Sequence, residues 1–170
     1  MGRQCRLFIA AVCSLLFIGA ASPNAHASTT ANHAATPRIV STNICIDNIL
    51  IHIFGTTHLV AVSNLVDDPL YSQVPFLDPA IERISFDAEN ILRLRPSLVL
   101  ISNFSNHRVV KMLRDSGVTM VMVPFATKLS DISQNIQTIG NAIQQNAKAE
   151  IAAEAIRQQL GKNTRKADQF

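Results

Sequence analysis

The sequence predicts an α/β domain, a Rossmann-like parallel sheet flanked by helices, and three observations predict it. From Pro37 onward, short apolar runs alternate with segments of helical periodicity, the order of elements that builds parallel sheets. The run Leu98-Val99-Leu100-Ile101 has no polar alternation, which suits a strand covered on both faces. Start and stop signals punctuate the helical segments: Asp87 precedes one, Arg95-Pro96 closes it, and Gly55 and Gly117 close two others.

Met1 to Ala27 stands apart from this pattern. Arg3 and Arg6 form a basic start, Leu7 to Ala21 an apolar core, and Ala25-His26-Ala27 an A-x-A site. Together they predict a signal peptide over 1–27, cleaved before Ser28, and therefore export. Cys13 follows Val12 rather than a small residue, so no lipid anchor is read there. Residues 28–36 are small and polar, a flexible leader.

The domain itself begins at Pro37. Arg38 to Ser41 reads as the first strand, Asn43 to Phe54 as a helix stopped by Gly55, and Leu59 to Val62 as the second strand. Asp67-Asp68-Pro69 marks a turn, and a loop-rich stretch runs through Pro75 and Pro79. The central element spans Ser85 to Ser102. Asp87 can accept from the free N–H groups of the first helical turn, and Glu89 favours its positive end. Ala88, Ile91 and Leu92 share one face. Pro96 ends the helix, because the residue before a proline is pushed out of the α region. A helix over Asn106 to Ser116 and a buried strand over Val118 to Val123 follow. Ser130 is the expected cap of a helix whose Ile132, Ile136, Ile139 and Ile143 recur at helical spacing. Ala147 to Leu160 is a further helix with Ile151, Ile156 and Leu160 along one side. The polar tail after it is expected to fray.

Composition narrows the function classes. The chain holds 15 basic and 12 acidic residues, and loss of Arg3 and Arg6 with the signal peptide leaves a net charge of +1. That balance gives no argument for nucleic acid. Cys5 and Cys13 would also be removed, leaving Cys45 alone and no internal disulfide. Without tryptophan, the core must be aliphatic.

Parallel α/β sheets bind ligands in the crevice beyond the carboxyl ends of their strands. Four predicted loops leave those ends. The first supplies Thr42, Asn43, Ile44 and Cys45, and the second Asn64 and Leu65. The third supplies Asn103, Phe104 and Ser105, and the fourth Phe125 and Thr127. These are hydroxyls, amides and apolar groups without a concentration of charge. The turn after the first strand, Ser41-Thr42-Asn43-Ile44-Cys45, lacks the glycines of a dinucleotide site. No Walker lysine, nucleophile elbow or paired-cysteine zinc spacing occurs. His33, His52, His58 and His107 are isolated, and Cys45 reads as a small buried hydrophobe. The residues therefore predict a ligand-binding domain without catalytic machinery, metal or resident cofactor.

Three stretches carry a family resemblance. RIVSTNICIDNIL (38–50), HLVAVSNLVDDP (58–69) and FDAENILRLRPSLVLIS (86–102), continued by GVTMVMVPFATKLSDISQNIQTIGNAI (117–143), resemble the iron-siderophore/cobalamin class, class III, of periplasmic substrate-binding proteins that feed ABC importers. The resemblance spans about residues 38–160. It is nearest the subset with asparagine and cysteine in the first loop. It implies a periplasmic protein of two lobes joined by one long helix, with an iron chelate, haem or cobalamin held between them and passed to a membrane permease. It also implies that an acidic residue at the start of the central helix docks against arginines of the permease, and Glu89 occupies that position. Where the family usually has a glycine and an aromatic before this helix, the chain has Arg83-Ile84-Ser85-Phe86. On this comparison residues 37–146 form a first lobe, and residues 147–170 the start of the interlobe helix, with no second lobe in the sequence. An orphan lobe that pairs with another chain, or with itself, through Ile151, Ile156 and Leu160 is the competing expectation.

Overall fold

In the computed structural model, residues 36–74 and 76–167 are described. The expected signal peptide and all but the last residue of the leader lie outside them. Five parallel strands run β1 (Ile39–Ser41), β2 (Leu59–Ser63), β3 (Glu82–Ile84), β4 (Leu98–Ser102) and β5 (Met120–Val123). They lie side by side in the order β3-β2-β1-β4-β5. The helices are α1 (Ile44–Ile49), α2 (Ala88–Arg93), α3 (His107–Asp115), α4 (Leu129–Ala142) and α5 (Asn146–Ala167). The parallel sheet flanked by helices is the one the sequence predicts.

Alternation of side chains across each strand divides the core in two. Leu98 and Leu100 of β4 face Ile46 of α1 and Leu50 just after it, Ile136 and Ile139 of α4, and Ala149 and Ala153 of α5. Val99 and Ile101 face the opposite side, against Ala88 and Ile91 of α2 and Val110 and Leu113 of α3. All five residues of β4 are buried, so its unbroken apolar run fits its interior place between β1 and β5.

Local signals explain most boundaries. Asp87 Oδ1 accepts from the N–H groups of Glu89 and Asn90, starting α2. Asn106 does the same for α3 through Arg108 N. Gly55 and Gly117 take positive φ, 84° and 76°, after their helices, a conformation that costs glycine little.

Several expectations are corrected. The first helix changes from α to π geometry over Leu50–Phe54, where Gly55 N donates to Leu50 O, five residues back. The stretch expected as loop contains a 3-10 turn (Asn64–Asp67) and β3. Arg95 does leave the α region before Pro96, but into the left-handed region, at φ 47°. β5 is a half-buried edge strand, with Met122 exposed, rather than a fully buried one. Helix α4 begins at Leu129, ahead of Ser130, and Asp131 caps it from inside by accepting from Thr127 N and Lys128 N. Helix α5 continues to Ala167, beyond the end at Leu160 that the sequence predicts. The apolar side expected on α5 is divided: Ile156 packs on the lobe's own core, whereas Ile151 is 73% exposed. Among the described residues, no helix is long and apolar enough to cross a membrane.

Candidate functional site

All five strands are parallel, so their carboxyl ends share one edge. Connections leave β1 and β4 toward opposite sides of the sheet, which makes their junction the topological switch point. Crevices open at such points, and the four expected loops surround this one.

Thr42 spans the junction: its N–H and Oγ1 both donate to Leu100 O of β4, at 3.2 and 3.0 Å. Asn43 is the N-cap of α1 and accepts from Cys45 N at 2.9 Å. Ile44 is half-buried against the core. Cys45 is exposed, contrary to the buried position expected for it. Partial burial of its sulfur, and then the Asp47 carboxylate, push its thiol above the ordinary range, the opposite of the shift that activates a cysteine.

The β4 and β5 loops are joined. Asn103 Oδ1 accepts from Phe125 N at 2.9 Å. The rings of Phe104 and Phe125 meet edge to face, with centroids 5.7 Å apart and planes at 66°, an arrangement aromatic pairs favour. Both remain open to solvent, 76% and 51% exposed. Ser105 Oγ accepts from Ser102 N, and Ser102 Oγ accepts from Phe104 N, which fixes this turn. Thr127 is held through its N–H and hydroxyl by Asp131 Oδ2. Those bonds, led by the backbone N–H of Thr127, keep the Asp131 carboxyl below its usual range.

Asn64 and Leu65 stand on the β2 side. Asn64 Nδ2 donates to Ser85 Oγ at 3.5 Å, and Leu65 is partly exposed. No hydrogen bond among the described residues links them to the Phe104–Phe125 group. Glu89 lies exposed in the first turn of α2, and its carboxylate has no partner among the described residues.

A hollow of about 630 Å³ lies at the other end of the sheet, lined by Pro37, Leu50, Phe54, His58, Leu98 and Gln144. A shallower one of about 560 Å³ lies beside the crevice, against Asn103 to Arg108. Topology favours the crevice, since the exposed aromatic pair and the loop hydroxyls and amides converge there. Among the described residues, no three histidine, cysteine or acidic side chains are placed to hold a metal ion.

The periplasmic binding protein family matches the chain over residues 39–169. The chain belongs to that family. No curated protein matches it. Solved structures similar to this periplasmic binding protein include the heme-binding protein RhuT from Roseiflexus sp. RS-1, 22% identical, with a TM-score of 0.65 over 79% of this chain and 51% of that one. The vitamin B12-binding protein BtuF of Vibrio cholerae is 26% identical, with a TM-score of 0.59 over 74% and 48%. The heme-binding protein HutB of Vibrio cholerae is 20% identical, with a TM-score of 0.63 over 75% and 49%. The chain thus spans about half the length of each.

Sequence reasoning missed a buried polar group under the first two loops of this periplasmic binding protein. Asp47 of α1 is fully buried and accepts from Ser63 N at 3.1 Å. Ser41 and Ser63, the last residues of β1 and β2, are buried beside it. Asp47 was detectable: with Leu50 and Phe54 it falls at i, i+3 and i+7, a polar residue on the core face of the helix.

Proposed function

We propose that this chain belongs to the substrate-binding component of an ABC importer, which captures an iron complex (siderophore or haem) or cobalamin in the periplasm and delivers it to the permease. The observation that carries the reading is the exposed Phe104–Phe125 pair at the switch-point crevice. Two aromatic rings held in place by backbone contacts offer apolar surface to a large conjugated ligand without the cost of ordering it first. The heme- and vitamin B12-binding functions named for RhuT, HutB and BtuF support the same ligand class. Glu89, exposed at a helix start, is the residue we assign to the permease contact. The chain is a binder rather than an enzyme in this reading, since its crevice offers no activated nucleophile or acid–base pair.

Titration of the isotope-labelled protein with haem, cobalamin or a ferric siderophore, followed by NMR, tests the reading. One of the three should shift the amides of Thr42, Phe104 and Phe125. Shifts confined to Phe54, His58 and Gln144, at the opposite end of the sheet, would sink it. Export is part of the proposal, with residues 1–27 as the signal peptide. Mass spectrometry of the periplasmic fraction should find a chain beginning at Ser28, and a membrane-bound product that retains Met1 would exclude cleavage.

A further inference from the structure

The Asp47 group raises a question that ligand capture leaves open. A carboxyl taken fully out of water needs partners for both oxygens. Oδ2 has one, the N–H of Ser63 at 3.1 Å. Oδ1 has none, and neither Ser41 Oγ nor Ser63 Oγ has one, although all three atoms are buried. Two hydroxyls and one carboxyl oxygen therefore lie buried together, near enough for both serines to favour the charged carboxyl, yet none of the three is held in a well-aligned hydrogen bond.

Such a group has two ways of closing, and they run in opposite directions. An ionised carboxylate can only accept, so both hydroxyls must turn toward it. A protonated carboxyl carries a donor of its own and must aim it at a serine oxygen. The two serines then have to present different atoms. Ser41 ends β1 and runs directly into Thr42 and Asn43. Ser63 ends β2 and runs directly into Asn64 and Leu65. The protonation state of Asp47 therefore bears on two hydroxyls that sit at the roots of two cleft loops.

We propose that Asp47 is a proton-operated positioning residue of the cleft, which sets the β1 and β2 loops in one arrangement when protonated and in another when ionised. The inference rests on the reading of the crevice as the ligand site, and it adds a pH dependence to capture there.

No charged side chain counters the switch. The titratable groups on the elements packed around Asp47 are Cys45 and His52 on its own helix, and Asp67 on the turn after β2. Asp68 and Tyr71 follow in the loop whose Tyr71 carbonyl accepts from Asn48. Asp67 is already paired with Arg83 at 3.1 Å. β1 and β2 contribute no charged residue. Burial is the dominant influence on the carboxyl and pushes it up to about 6, with the nearby Ser41 and Ser63 groups tempering the rise. That places the change within the range where the two forms coexist in mildly acidic surroundings.

The experiment needs no ligand, so its outcome is separate from that of the ligand titration. The side-chain carboxyl carbon of Asp47 and the amides of Asn43, Cys45 and Asn64 are followed by NMR from pH 4 to 8. The expected result is one shared midpoint near 6, and loss of the amide titration in Asp47→Asn. Ser41→Ala provides a second readout should that variant fold poorly: removing a hydroxyl that favours the charged form should move the midpoint upward. Loop amides that stay still while Asp47 titrates would overturn the proposal. So would amides that titrate with an unchanged midpoint in Asp47→Asn, or a midpoint that Ser41→Ala leaves in place.

Discussion

Asp47 affects stability as well as geometry. Its carboxyl is pushed up from 3.8 to about 6 by burial, so the folded protein holds the proton more tightly than the unfolded chain. Its contribution is fully present below pH 3.8 and lost as pH rises through about 6. The shift corresponds to roughly 3 kcal/mol across that window. Urea unfolding at pH 4.5 and 7.5 should therefore show Asp47→Asn gaining stability relative to the unmodified protein at the higher pH. Parallel pH profiles for the two would contradict the assignment. Glu89 gives the opposite expectation. Exposed and without a partner among the described residues, it acts on folding through the dipole of a short helix, so Glu89→Gln should change stability by about half a kcal/mol. In an importer assembled with this lobe, the same change should reduce uptake and leave ligand affinity alone; unchanged uptake would remove the docking role.

Elements show where sequence reading succeeds and where it stops. β4 and α2 were legible because each carries its own signal: an unbroken apolar run in one, and an aspartate cap with a proline stop in the other. β3 was not, because Glu82-Arg83-Ile84 is a three-residue edge strand whose polar side chains are spent on ion pairs. Arg83 holds Asp67, and Arg93 of α2 holds Glu82. The π turn of Leu50–Phe54 was hidden too, since one extra residue in a helical ring leaves the apolar spacing almost unchanged. In the candidate site, the loops could be located from strand ends, whereas the pairing of Phe104 with Phe125 depends on neighbouring strands distant in sequence. The packing of α5 on α4 is another such long-range feature. Gly140 sits so close to α5 that an added Cβ would collide with that of Ala149 and press on Phe54. Gly140→Ala should cost about 1–3 kcal/mol by overpacking. An unchanged midpoint in thermal or urea unfolding would show that the helices separate more freely than their contact implies.

For the whole molecule, the decisive quantity is how much of a ligand this lobe can cover. Pocket ligands normally bury most of their surface, and one lobe of a two-lobed clamp, assayed without the other, would supply about half of those contacts. Each 1.4 kcal/mol lost weakens binding about tenfold. Calorimetry on the chain alone should therefore find micromolar or weaker affinity for haem, cobalamin and ferric siderophores. Nanomolar binding by a monomer would mean that one lobe suffices. The close seat of α5 on Gly140 adds a mechanical consequence. Its 22 residues form a rod about 33 Å long, clamped near its base at Ala149 and Ala153. A tilt of about 6° at that clamp displaces the far end by roughly 3 Å. Any change in the seating of the first turns of α5 would thus be magnified along its length, with the Gly140 contact as the pivot.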